Sequence, residues 1–459
     1  MPSSIASKGS GAFRQKQQKN PRRKTVSIEL ISIVLVGGVF ALMALGVPLA
    51  FAAGSLAVLV SYLKFGPAVI ALAHKTVYGL ATEYSLLSVP LFILMATLLE
   101  RSRLAQDLYD ALFKICGHLK GGVATVTLII SVFMAAISGI IGGEIVLLGL
   151  IALPQMMRLQ YDRKLSIGII CAGGSLGTMV PPSIVLIIYG LTADVSVQKL
   201  FLASFVPGFV LAFAYFAYIY IRCTLNPALT PKVTEKTEPF TRKDFMRGIL
   251  PLFILIGIVF GCIYGGVTSI TEAAGIAVGI SLLIIFLRSE LNVTMLWQAL
   301  TRTLQSCGII LWVTFGAASL IAVYNLSGGQ RFVTGMITGL DIAPVVTIML
   351  MMSIFIVLGL FMDWIGILLL TIPIFVPIVI QLGYDPVWFG VLFSLTMQVA
   401  FLSPPFGPAA FYLKSVAPPE ITLQTIFASL WPFMLIQIAF LALMLAFPSI
   451  ALWLPEILN

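Results

Sequence analysis

Charge is scarce in this chain. Asp, Glu, Lys and Arg make up 10% of its 459 residues and apolar residues 59%, whereas an average chain is about 25% charged. That balance excludes a soluble globular domain, which needs far more polar groups to cover its surface. Histidine is scarcer still: His74 and His118 are the only two. Both read as loop residues without a second ligand at metal spacing, which excludes a histidine metal centre or a Ser-His-Asp site. The five cysteines, Cys116, Cys171, Cys223, Cys262 and Cys307, are odd in number and widely spaced. They read as small buried hydrophobes and not as a disulfide framework. A cleavable signal peptide is also missing, because the apolar run after the basic first 27 residues is membrane-length and has no small-residue cleavage site.

What the chain has is apolar length. Runs that suit membrane helices fall at about 28–46, 48–64, 84–100, 121–157, 165–190, 200–221, 248–264, 268–287, 304–325, 343–380, 387–411 and 426–454. The net charge of +9 sits largely ahead of Glu29, where seven Lys/Arg precede the first acid. That tail suits lipid headgroups or an orientation signal better than nucleic acid, so no nucleic-acid partner is expected. The segment 100–120 alternates charged and apolar residues at helical spacing and predicts an interfacial helix.

An internal repeat organises these runs. An offset of 223 carries Pro154 to Pro377, Tyr161 to Tyr384, Asp162 to Asp385, and Pro181-Pro182 to Pro404-Pro405. The domain reading is therefore a basic tail 1–27, repeat 1 over 28–225, a polar linker 226–247 and repeat 2 over 248–459. Two runs, 121–157 and 343–380, are too long for one crossing, and the centres of the 37-residue stretches 121–157 and 344–380, Gly139 and Met362, differ by the same 223. Each predicts a re-entrant hairpin of two short helices.

The two copies predict opposite orientations. Residues 114–120 and 158–164, which flank the first hairpin, hold five Lys/Arg, and their images at 337–343 and 381–387 hold none. By the positive-inside rule the first hairpin enters from the cytoplasm and the second from the other face. The linker is then cytoplasmic, matching the six Lys/Arg of 222–247. Both termini fall outside in this reading, although the basic tail argues for a cytoplasmic N-terminus.

Paired prolines inside an apolar run remove backbone donors where water cannot replace them. Such breaks are tolerated where they line a cavity, and two inverted hairpin-plus-break units are what a secondary transporter uses to build a midplane site. The first candidate sodium site joins Ser138, Gly139 and Gly142 of the tip to Gly177, Val180 and Pro182 of the break. The second joins Met362, Asp363 and Gly366 to Ala400, Ser403 and Pro405. Thr178, Ser183, Gln398 and Gly407 are candidate substrate contacts, with Ser394 and Tyr412 as further polar groups. The intramembrane acids Glu144 and Asp363 are functional suspects by position. No organic cofactor and no other metal is expected.

Two stretches, "LGTMVPPSIVLIIYGLTADVSVQKLFLASFVPG" and "MDWIGILLLTIPIFVPIVIQLGYDPVWFGVLFSLTMQVAFLSPPFGPAAFYLKSVAP", resemble the large membrane subunit of the tripartite ATP-independent periplasmic (TRAP) transporters. "GVPLAF" and "GGVTSITEAAG" extend the likeness over about 28–454. The resemblance implies an all-α polytopic fold in the bacterial inner membrane, with an elevator-type transport domain on a scaffold. It also implies sodium-coupled import of an organic acid, together with a small membrane (Q) subunit and a periplasmic substrate-binding (P) protein. The chain departs from the family's common Ser-Gly-Ser-Ser tip with "SGIIGGE" and carries Ala400 where glycine is common. These departures resemble the branch associated with 2-oxo acids, mannitol and chloroaromatic acids more than the sialate branch. The alternatives are a stand-alone sodium symporter of similar architecture and a membrane-embedded enzyme, for which the chain offers no cluster of titratable residues at one membrane face.

Overall fold

The structure is a computed structural model that describes residues 27–67, 69–117, 119, 121–139, 142–230, 239–339 and 342–458. The basic tail to residue 26, His118, the tip residues Ile140 and Ile141, and 231–238 of the linker lie outside the described residues. Among the described residues the chain forms helices, turns and coil, without strands.

The first half runs α1 (Ile28–Ala44), α2 (Leu49–Phe65), α3 (Val69–Ala81), α4 (Ser88–Arg101) and α5 (Leu104–Cys116). It continues with α6 (Gly122–Ser138), α7 (Gly143–Arg158), α8 (Arg163–Ser175), α9 (Ile184–Ala193) and α10 (Val197–Leu225). The second half runs α11 (Arg242–Tyr264), α12 (Ile270–Leu287), α13 (Val293–Leu326), α14 (Gly329–Thr338) and α15 (Pro344–Gly359). Then follow α16 (Trp364–Gln381), α17 (Pro386–Leu402), α18 (Pro408–Lys414), α19 (Leu423–Ala446) and α20 (Ser449–Ile457).

Local chemistry sets many of these starts. Asp162, Ser196, Asn292 and Thr422 accept a backbone N–H of their own first turn. Thr241 with Asp244 and Ser269 with Glu272 close full capping boxes.

Several expectations are revised. His74 belongs to a helix and not to a loop, since α3 covers Val69–Ala81. The amphipathic α14 was not anticipated, and it precedes the second hairpin as α5 precedes the first. The run 426–454 divides at Phe447-Pro448 into α19 and α20. The linker ends early, because α11 begins at Arg242.

Among the described residues seven helices are long and apolar enough to cross a membrane: Tyr84–Arg101, Val197–Leu225, Arg242–Tyr264, Ile270–Leu287, Val293–Leu326, Trp364–Gln381 and Leu423–Ala446. Large side chains such as Ile33, Phe51, Leu63, Phe253, Leu283 and Trp312 face outward from the outer helices, as a lipid-facing surface requires.

The helices pack in two groups. In the outer group α2 crosses α13, and α4 packs against both α12 and α13. At the α2–α13 crossing a Cβ on Gly316 would fall 2.2 Å from the Ala50 carbonyl oxygen, so a small residue there sets the separation. In the inner group each hairpin lies along the helix before the break in its own half, α6 on α8 and α15 on α17. The second arms also reach into the other half: α7 packs on α8 and on α18, and α16 packs on α17 and on α9. These crossed contacts join the two halves around the two breaks.

Candidate site at the hairpin tips and proline breaks

Helix α6 ends at Ser138 because Gly139 takes φ +54°, and α7 begins after Gly142, at φ +118°. Both conformations favour glycine, and both glycines are also held for space. A Cβ on Gly139 would lie 2.6 Å from the Pro182 carbonyl oxygen, and one on Gly142 would lie 2.8 Å from the Tyr412 ring. The Gly139 carbonyl accepts the Ile184 backbone N–H at 3.2 Å. The tip therefore touches the break of its own half and α18 of the other.

The first break follows the last turn of α8. A 3₁₀ turn spans Leu176–Thr178, the Val180 N–H reaches the Leu176 carbonyl at 2.9 Å, and extended backbone at Ser183 opens α9. The Pro181–Pro182 bond is cis, as is Pro404–Pro405 in the second half. The hydroxyls of Ser183 and Ser394 both donate to the Thr178 carbonyl oxygen, each at 2.6 Å. Thr178 itself donates to the Ser175 carbonyl at 3.1 Å. Thr178 and Ser183, read as substrate contacts, are wholly buried and spend their donors bracing the break.

Glu144 joins tip to break. Its carboxylate is wholly buried, one oxygen accepts the Ser138 hydroxyl, and the other has no hydrogen-bond partner. A Cβ on Gly177 would fall 2.6 Å from the oxygen that Ser138 engages. An orphaned carboxylate oxygen in a low-dielectric interior is costly unless a cation or a proton accompanies it.

In the second half α15 ends at Gly359, and Asp363 stands exposed at the N-cap of α16 with extended backbone. Gly359 lies against α17, where an added Cβ would meet the Ala400 Cβ at 2.4 Å. Gly366 faces outward from this unit, since a Cβ there would collide with Leu49 of α2 at 2.2 Å. Met362 and Ala400 are buried. Ser403 ends α17 and donates to the Val399 carbonyl at 2.7 Å, and its own carbonyl accepts the Gly407 N–H at 2.8 Å. Pro405 is exposed in this turn, whereas Gly407 is buried against Phe427.

Gln398 stands apart from both tips. It is wholly buried, its oxygen accepts the Gln437 side-chain N–H at 3.4 Å, and Gln437 also donates to Ser175 at 3.2 Å. Gln437 thus bridges α8, α17 and α19 inside the inner group, while the side-chain nitrogen of Gln398 has no hydrogen-bond partner among the described residues.

Two residues near the first tip, Glu100 and Arg302, escaped sequence reading. Glu100, at the end of α4, borders Gly143, where a Cβ would meet its carboxylate at 2.3 Å. Arg302 of α13 lies within electrostatic reach of both Glu100 and Tyr412, and Asp363 is within reach of Tyr412. Tyr412 therefore stands between the two tips, with a cation from the outer group nearby. Because α13 begins at Val293, ahead of the apolar run at 304–325, Arg302 is a helical residue and not a loop residue.

Comparison with known proteins gives the chain's family. Residues 36–450 match the family model described as "Tripartite ATP-independent periplasmic transporter, DctM component". The C4-dicarboxylate TRAP transporter large permease protein DctM of Pseudomonas aeruginosa is 30% identical over 398 residues, 86% of this chain and 91% of that protein. The sialic acid TRAP transporter permease protein SiaT of Haemophilus influenzae is 29% identical over 84% of this chain and 62% of that longer protein. Among solved structures the Alcanivorax borkumensis YdaH transporter superposes with a TM-score of 0.60 at 16% identity, covering 84% of this chain and 90% of that one.

Proposed function

The chain belongs to the DctM family, the large permease component of the TRAP transporters, and from that premise we propose that it couples the import of a small organic acid anion to sodium. It is a multi-pass bacterial inner-membrane permease and not an enzyme, and its family works with a small membrane subunit and a periplasmic binding protein. The relatives named for C4-dicarboxylate and for sialic acid both act on carboxylates. With a third relative named for isethionate, a sulfonate, an organic acid anion is the common chemistry proposed for this substrate.

The observation that carries the sodium reading is Glu144. Its partnerless oxygen belongs to the carboxyl group that joins Ser138 of the tip to Gly177 of the break. A hard monovalent cation held by oxygen ligands of low charge fits that donor set. The first site is Ser138, Gly139, Gly142, Gly177, Val180 and Pro182, with Glu144 supplying the charge. The second is Met362, Asp363, Ala400, Ser403 and Pro405, with Gly366 contributing only close packing. The anion lies between the tips near Tyr412, with Arg302 as its positive partner across the gap.

The orientation proposal rests on the rim where α4, α11, α12 and α13 end. Lys114 pairs with Asp244 at 3.0 Å, Arg288 pairs with Asp107 and Glu290, and Arg101 donates to Gln298 at 2.5 Å. These contacts bring one basic set of helix ends to one face, which the positive-inside rule makes cytoplasmic. The first hairpin, which follows α5 from that rim, then enters from the cytoplasm. The second follows α13 and α14 from the opposite face, and the inner group moves against the outer to expose the site alternately.

Uptake into proteoliposomes holding this chain and its small subunit tests the proposal. Transport should require an inward sodium gradient and the cognate binding protein; equal uptake with choline replacing sodium would overturn the coupling. Uptake without the binding protein would favour the stand-alone symporter.

A further inference from the structure

The basic rim encloses a cavity of about 920 Å³ that the transport reading does not use. Four helix ends meet there: Arg101 in the last turn of α4, Arg247 in the opening turns of α11, Arg288 capping α12 and Asn292 capping α13. Because α4, α11, α12 and α13 all lie in membrane-length segments, their shared end sits at headgroup level.

The mouth of the cavity carries Arg101, Arg103, Arg247 and Arg288 against the two carboxylates Asp107 and Glu290. Arg288 is consumed by both acids and by the Arg247 carbonyl. Arg101 is engaged by Gln298. The guanidinium groups of Arg103 and Arg247 are exposed and make no hydrogen bond or ion pair within the described chain. Below the mouth the wall turns apolar, through Leu250, Pro251, Ile254, Ile284 and Leu287. Ile254 and Leu287 are 44% and 72% exposed on that side, facing hydrocarbon.

We propose that this cavity binds one anionic phospholipid from the cytoplasmic leaflet. Its phosphodiester lies against Arg103 and Arg247, and an acyl chain follows the wall from Leu250 to Leu287. A free anion would use the arginines and leave the apolar wall wet, while an uncharged lipid would leave two arginines unpaired. Basic pockets between membrane helices on the cytoplasmic side select lipids that satisfy both parts. The lipid ties α5, which leads into the first hairpin, to the outer helices α11 and α12.

The test uses the full chain co-purified with its small subunit, delipidated in detergent and examined by native mass spectrometry and thermal shift. Phosphatidylglycerol should bind and raise the melting temperature, while phosphatidylcholine and inorganic phosphate should not. The double variant Arg103→Gln with Arg247→Gln should weaken phosphatidylglycerol binding about thirtyfold, with two surface charges lost from the headgroup contact. Arg331→Gln, at an exposed arginine on α14, should leave it unchanged. A photocrosslinking residue at Leu287 should attach lipid. The proposal is overturned if the double variant binds as wild type does, if phosphatidylcholine or inorganic phosphate protects equally, or if the crosslinker attaches only the small subunit. Each readout is independent of transport, so failure here leaves the sodium reading intact.

Discussion

Ser138 donates its hydroxyl hydrogen to Glu144 across the tip of the first hairpin, and both side chains are buried. The pair sets a buried carboxyl group where the tip meets the proline break, with one of its oxygens left over.

Glu144→Gln keeps the shape and an acceptor for Ser138 but removes the group there that can carry a charge to a cation. The sodium concentration for half-maximal uptake should rise by about tenfold or more, the scale seen when the support of a metal site is damaged. Measuring uptake against sodium at fixed anion checks this; an unchanged sodium dependence would make the carboxylate a structural brace.

Gly139→Ala should destabilise the first tip more than its size suggests. The φ of +54° costs about 1–2 kcal/mol for a residue with a Cβ, and that Cβ would press on the Pro182 carbonyl at 2.6 Å. Thermal unfolding of the detergent-purified protein should show a clear loss. Gly257→Ala, on α11 with nothing within 4 Å, should be neutral or stabilising, since alanine is favoured in a helix by up to about 1 kcal/mol.

Ser183→Ala and Ser394→Ala remove two donors from one acceptor, the Thr178 carbonyl. Each alone should cost about 0.5–1.5 kcal/mol. The pair should cost more than the sum, because only the double variant leaves that carbonyl without either hydroxyl. A double-mutant cycle on stability checks the coupling, and additive effects would mean that the two hydroxyls act separately.

Arg302→Gln should raise the substrate concentration for half-maximal uptake, with Arg302→Lys recovering part of the effect. Its reach to Tyr412 and Glu100 puts its charge beside the tips. If both variants transported like wild type, the anion would have to find its positive partner elsewhere.

Punctuation made much of this architecture legible in the chain. The repeated Pro-Pro pairs lie where α8 and α17 give way to α9 and α18, and the expected tip centres, Gly139 and Met362, fall in the gaps between α6 and α7 and between α15 and α16. Glycine and proline act through the backbone, so their meaning survives without tertiary context. Among short amphipathic helices α5 stood out by its alternating charge, whereas α3 and α14 lack the apolar length that marks a span. Most opaque were contacts made by folding. Nothing near residue 100 or 302 signals that Glu100 borders Gly143, or that Arg302 comes within electrostatic reach of a tyrosine 110 residues further on. The same holds for the contact between Gln398 and Gln437 of α19, which lie 39 residues apart in the chain.

Equilibrium binding of radioactive sodium to the purified permease tests the two-site claim most directly, by comparing wild type with Glu144→Gln, Ser403→Ala and the double variant. The account predicts saturable binding to wild type, a reduced capacity or affinity in each single variant, and near-complete loss in the double. Sodium binding that is undiminished in the double variant would contradict it.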